Sequence, residues 1–263
     1  ALNLRRGVRK DLCGGLRCVS IRLTDKNKTG RRQYMETEQL SLKEKIGYGL
    51  GDTASNFFFQ VFNLFLMYYY TDIFGLAPAA VGAMFLITKA IDAVSDPIMG
   101  LIADRTTSRW GKYRPYLLFG AVPYGLCGYL MFAGPELSDT GKLIYAYATY
   151  TAMMLAYTVV NVPYSALLGV ISPSSLERTK VACYRFICAF LAGWLIATFV
   201  GPLKNLLGGG DEALGFRLTM IIFALASIAL FWFTFATTRE RVVAVPVSTD
   251  VRADLRALMS NGP

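Results

Sequence analysis

The stretch Lys89-Ala-Ile-Asp92-Ala-Val-Ser95-Asp96-Pro97 lies inside an otherwise apolar segment at 78–102. That segment exceeds the roughly 20 residues a helix needs to cross a bilayer, so a cation and two carboxylates fall at membrane depth. Charges there are costly and mark ion or substrate pathways. Asp92 and Asp96 are one helical turn apart and share a face, while Lys89, a turn earlier, can neutralise only one of them. The residual charge is negative. In a low-dielectric surround it is relieved by protonation or by a bound cation, with the Ser95 hydroxyl as a further oxygen ligand. Sodium and the proton both fit. The alternative reading of the same residues is a buried ion pair with a spare acid that joins helices.

Five more long apolar segments flank this one, at 47–70, 115–134, 143–171, 181–203 and 215–236. The composition agrees: 54% of the 263 residues are hydrophobic and 13% aromatic, and the mean hydropathy is +0.40. These values belong to a membrane protein rather than a water-soluble one. The expected fold is all-α, with six transmembrane helices over 41–241, a basic N-terminal tail at 1–40 and a polar linker at 242–263.

A net charge of +9 would suit a nucleic-acid binder if it were spread over the fold. It is not. Residues 1–34 hold ten Lys or Arg against Asp11 and Asp25, whereas the remainder has 17 basic and 16 acidic residues. Nucleic acid is therefore excluded as a partner of the bundle. The tail has neither an apolar signal core nor a hydrophobic period and is expected to be disordered. Met35-Glu-Thr-Glu-Gln-Leu reads as a translation start, which makes 1–34 upstream sequence or a basic arm for anionic lipid. There is no histidine and no Cys-x-x-Cys among the five cysteines, so no zinc site and no cofactor is expected; the only metal is the coupling cation. Gly208-Gly-Gly210-Asp lacks a P-loop lysine and reads as a hinge.

The loop at 103–114 carries Arg105, Arg109, Lys112 and Arg114, and the loops after the fourth and sixth segments add Arg178, Lys180, Arg239 and Arg241. The opposite loops offer only Lys142 and Lys204. By the positive-inside rule the first group is expected to face the cytoplasm, as are both termini, in a multi-pass membrane protein.

Four motifs carry a resemblance: Leu66-Met-Tyr-Tyr-Tyr-Thr-Asp72, Asp92-Ala-Val-Ser-Asp-Pro-Ile-Met-Gly100, Ser108-Arg-Trp-Gly-Lys-Tyr-Arg-Pro115 and Asn161-Val-Pro-Tyr164. In their order and spacing, residues 41–241 resemble the first half of the glycoside-pentoside-hexuronide:cation symporters, a branch of the major facilitator superfamily. The resemblance implies a six-helix N-terminal half of that fold and cation-coupled sugar symport. It assigns the coupling cation to Asp92, Asp96, Ser95, which stands where Asn is common, and Thr158 on the fourth helix. A back-bonded helix hydroxyl is the alternative for Thr158.

For the sugar, the resemblance points to Asn56, Asn161 and Arg185. The melibiose carrier of that family has acids where this chain has Asn56 and Asn161, and an aromatic where it has Ser165. A glycoside, pentoside or hexuronide is thus a better expectation than a galactoside. Amides grip hydroxyls without repelling an anion, and Arg185 could pair with a substrate carboxylate, with Asp92 or Asp96, or with an acid of a second half. Tyr157 and Tyr164 flank Asn161, and either could stack on a pyranose face. Asp52 is expected to gate, through an ion pair with the basic loop. Arg105, Arg109 and Lys112 resemble the superfamily's gating motif, although positive-inside topology alone also accounts for basic residues there.

The expected mechanism is alternating access, in which the cation and the sugar each stabilise the arrangement that turns over. The partners are then a sugar or glycoside and the lipid bilayer. A second six-helix half is expected to complete the cavity, so that a fragment, a truncated carrier or an associating half are all open. An embedded enzyme would need acids facing one another across a cleft, or metal-binding histidines. A channel would need a repeated pore motif, and a lysolipid carrier a more apolar pocket.

Overall fold

The structure, a computed structural model, describes residues 39–242. They form helices and turns, with no strand among the described residues. Helix α1 spans Leu42–Val61 and continues through two π-helical turns, Phe62–Leu66 and Tyr69–Ile73. It is followed by α2 (Pro78–Arg105), α3 (Arg114–Leu130), α4 (Asp139–Val170), α5 (Ser175–Gly208) and α6 (Glu212–Thr237). The six apolar segments thus correspond to six rods, most of them longer than the apolar runs because polar turns extend their ends. By length and composition alone, α2, α4, α5 and α6 can cross a membrane. α3 is a shorter rod of 17 residues, and α1 carries Lys43, Glu44, Lys45 and Asp52.

Local chemistry sets the boundaries. Ser41, Ser138, Ser174 and Asp211 each cap a helix by accepting the N–H three residues on, at 3.2, 3.3, 3.5 and 3.0 Å, which satisfies donors a helix start leaves free. Helix α2 begins at Pro78, whose missing N–H costs nothing at a first turn. The expected hinge at Gly208-Gly-Gly210 is a tight turn in which Gly209 and Gly210 take positive φ, 56° and 109°.

α1 packs along α5 and α6, α6 against α3, α3 against α4, and α4 against α2. In this order α2 and α5 are the flanks of the bundle. The core is aromatic, with Tyr48, Phe58, Tyr69, Tyr70, Tyr124, Phe132, Tyr164, Phe216 and Phe231 fully buried. Polar side chains inside it are spent on backbone carbonyls of neighbouring helices: Ser227 donates to Ala54 (2.9 Å), Thr234 to Gly47 (2.8 Å), Thr53 to Cys188 (3.2 Å) and Tyr124 to Ser55 (2.8 Å). Such bonds hold helices together where no water competes. The outward faces are apolar instead, with Leu86, Phe190 and Leu206 each at least 74% exposed. That distribution suits a lipid surround.

Two ion-pair clusters close the basic end of the bundle. Arg241 grips Glu44 with both guanidinium arms, at 2.6 and 2.9 Å; this bond holds the Arg241 guanidinium above its usual range. Glu177 takes Lys45 at 2.8 Å, Lys180 at 2.7 Å and the Leu40 N–H at 3.2 Å. At the other end Lys204 pairs with Glu212 at 2.6 Å, and Tyr68 donates to the same carboxylate. The expected tail at 1–40 and linker at 242–263 lie almost wholly outside the described residues.

Candidate functional site

The polar residues at mid-depth fall into two groups. The first joins α2 to α4. Lys89 Nζ is 3.5 Å from Asp92 Oδ2, a long contact for an ion pair, while Asp92 Oδ1 is buried with no hydrogen-bond partner among the described residues. One turn on, Thr158 Oγ1 donates to Asp96 Oδ1 at 2.8 Å. Thr158 is 4% exposed, and its proton goes across to α2 rather than back along its own helix. Ser95 differs: its hydroxyl donates to the Asp92 main-chain carbonyl at 3.4 Å, which leaves only oxygen lone pairs to offer. Pro97 inside α2 cannot donate to the carbonyl four residues back, so the Ala93 carbonyl loses its helical partner beside the two acids. The arrangement puts two carboxylates and two hydroxyls on adjoining turns of α2 and α4, with Lys89 paired only to Asp92 among the described residues. Among the described residues no three of His, Cys, Asp and Glu cluster as a metal site.

The second group joins α1, α4 and α5, and here the geometry corrects one expectation. Asp52 does not meet the basic loop. It lies 7% exposed inside the bundle, where its Oδ1 accepts from Arg185 Nε at 2.9 Å and its Oδ2 from Asn56 Nδ2 at 3.2 Å. The same amide also donates to the Asp52 carbonyl at 2.9 Å. The physical reason is rotation: position 52 is on the α1 face turned to α5, where Gly49, one turn earlier, lets that helix approach. A Cβ on Gly49 would sit 2.7 Å from Cys188 Sγ and 3.0 Å from the Tyr184 carbonyl oxygen. Arg185 is therefore neutralised by Asp52, not by Asp92 or Asp96. Its Nη1 reaches Ser165 Oγ at 3.5 Å, and its guanidinium lies 5.1 Å over the Tyr164 ring.

Tyr164 cannot stack on a sugar. It is fully buried, lies 4.6 Å from the Tyr48 ring, and exchanges hydroxyl-to-carbonyl bonds with Tyr48 at 2.6 and 3.0 Å. Tyr157 is half-buried and stacks on Phe59 at 5.9 Å. On α4 it directly precedes Thr158 of the first group and lies one turn before Asn161. Asn161 is half-buried, with no side-chain hydrogen bond among the described residues. Gln60, which no sequence signal singled out, extends the row by donating to Asn56 Oδ1 at 3.3 Å.

At the basic end the expected gating residues diverge. Arg105 and Arg109 are exposed, and Arg109 rests 4.1 Å over Trp110. Lys112 is engaged: its Nζ pairs with Asp104 at 3.2 Å. The organising residue is one that sequence reasoning missed. The Glu240 carboxylate, just past α6, accepts the backbone N–H groups of Lys112, Tyr113 and Arg114 at 2.8, 2.8 and 3.1 Å. It sits on the start of α3, where free donors and the helix dipole favour an anion. Gly111 makes room with φ 109°. Arg114 locks the same corner by donating to the Phe235 carbonyl at 2.6 Å. Tyr113 donates to Asp104 at 2.6 Å; burial, and then this bond, push its phenol well above the usual range, so it remains a donor.

Residues 47–263 match the family described as MFS/sugar transport protein. The inner membrane symporter YicJ of Escherichia coli (strain K12) is 48% identical over 227 residues, 86% of this chain and 49% of the relative. The glucuronide carrier protein homolog of the same organism is 36% identical over 229 residues, 86% of this chain and 50% of the relative. The isoprimeverose transporter of Lactiplantibacillus pentosus is 35% identical over 224 residues, 84% of this chain and 47% of the relative. All three names are those of transporters and none is that of an enzyme. The chain spans about half the length of these relatives. It belongs to the MFS/sugar transport protein family, in its glycoside-pentoside-hexuronide:cation symporter branch, and forms the N-terminal six-helix half of that fold.

Proposed function

We propose that this chain is the cation-binding half of a symporter that carries a sugar, glycoside, pentoside or hexuronide together with Na⁺ or H⁺ by alternating access. The observation that carries the reading is the unshared oxygen of Asp92, buried beside an Asp96 that already holds Thr158. An unpaired carboxylate oxygen in an apolar surround is destabilised until a cation or proton arrives. Occupancy removes that cost and tightens α2 against α4, and Tyr157, one residue from Thr158, carries the change toward Asn56, Asn161 and Arg185. Cation and sugar then strengthen each other's binding reciprocally.

The sugar is held by neutral amides from α1 and α4, by the Arg185 nitrogens left over from its pair with Asp52, and by the Tyr157–Phe59 platform. Lys112, Asp104 and Glu240 brace the basic end, which faces the cytoplasm with both termini, and a second six-helix half supplies the opposite cavity wall. Uptake of labelled glycosides, pentosides and uronates into vesicles bearing the intact gene product, with and without a sodium or proton gradient, tests the reading. At least one sugar accumulates only with the gradient; no sugar doing so under either gradient refutes it.

A further inference from the structure

We propose that Asp52 is the positioning residue of the sugar site rather than part of its gate, an inference that rests on the carrier reading above. Asp52 lies deeper than the groups it holds. It is 7% exposed, whereas Arg185 and Asn56 are half-buried. Its two carboxylate oxygens are divided between them, Oδ1 to Arg185 Nε at 2.9 Å and Oδ2 to Asn56 Nδ2 at 3.2 Å. One side chain on α1 therefore fixes the angle of a guanidinium on α5 and the rotamer of an amide one turn above it. Gln60 donates to Asn56 Oδ1 and Ser165 receives Arg185 Nη1, so the order imposed by Asp52 runs along a row of five polar residues from three helices.

The pairing also decides which carboxylate is left for the cation. Arg185 compensates Asp52 at close range, whereas Lys89 stands 3.5 Å from Asp92 and leaves its Oδ1 free. The sugar group is thereby electrically closed and the α2 group electrically open. Removing Arg185 alone would strand a buried carboxylate, while removing both partners would not.

The test is uptake by the intact gene product in vesicles, with the variants Asp52→Asn, Asp52→Glu, Arg185→Gln and Asp52→Asn/Arg185→Gln at matched membrane levels. Asp52→Asn raises the half-saturating sugar concentration at least tenfold, while the cation concentration for half-maximal uptake at saturating sugar moves less than twofold. Asp52→Glu, which keeps the charge, recovers part of the sugar affinity. The double variant transports better than Arg185→Gln, and this comparison decides the matter even if Asp52→Asn inserts poorly. A gating role predicts the opposite split, with maximal rate lost and half-saturation unchanged. That outcome, or a double variant no better than Arg185→Gln, overturns the assignment while leaving the carrier reading intact. A wild-type protein that takes up no sugar under any gradient overturns both.

Discussion

Thr158 makes a single hydrogen bond that crosses from α4 to a carboxylate on α2. A hydrogen bond to a charged group contributes about 1.5–3 kcal/mol, so Thr158→Val, which keeps the shape and removes the donor, is expected to raise the cation concentration for half-maximal uptake by roughly tenfold or more. Sugar dependence at saturating cation should change little. A titration of uptake against sodium or pH in Thr158→Val and wild-type vesicles checks it. Ser95→Ala is expected to act more weakly, because the Ser95 proton is spent on its own helix at 3.4 Å. As candidates these residues stand out in the sequence for unequal reasons. Asp92 and Asp96 announce themselves as charges in an apolar run. Asp52 announces itself equally well, but its partner is 133 residues away, and helix rotation, which a pattern of apolar residues leaves undetermined, decides whether it meets Arg185 or the basic loop.

At the scale of elements, the contact between the end of α6 and the start of α3 is the most exacting. Gly111 has φ 109°, and a Cβ there would lie 2.5 Å from Glu240 Oε1. Gly111→Ala therefore combines backbone strain with loss of the Glu240 contact, at a cost of about 1–3 kcal/mol. Glu240→Gln keeps one acceptor oxygen and should cost less. Thermal unfolding of the detergent-solubilised protein is expected to rank wild type above Glu240→Gln and Glu240→Gln above Gly111→Ala. The six helices themselves were legible because hydropathy over 20-residue windows is a strong signal. The corner was not. Glu240 sits between Arg239 and Arg241 and reads as one more interfacial charge, and its role depends on three backbone donors of a distant helix. The π-helical turns at 62–73 were likewise hidden, since Phe62-Asn-Leu-Phe-Leu66 has no proline or glycine to announce a change of pitch.

For the whole molecule, alternation of the six rods brings Arg105–Arg114, Arg178–Lys180 and Arg239–Arg241 to one end and Glu136, Asp139, Asp211 and Glu212 to the other. Charge asymmetry of this kind sets orientation. A cysteine placed by Thr107→Cys is expected to resist a membrane-impermeant maleimide in intact cells and to react once the membrane is opened, whereas Glu136→Cys should react in both. The reverse pattern would invert the topology and the direction assigned to the gate.

Coupling, as proposed, rests on the open carboxylate on α2. In Asp92→Asn the residual negative charge beside Lys89 is gone, and with it the reason for a cation to enter. Measured as initial sugar uptake in vesicles with and without an imposed sodium or proton gradient, the wild type is expected to respond at least tenfold and Asp92→Asn less than twofold, with sugar exchange across the membrane retained. Asp92→Asn uptake that follows either gradient as steeply as the wild type would contradict the account.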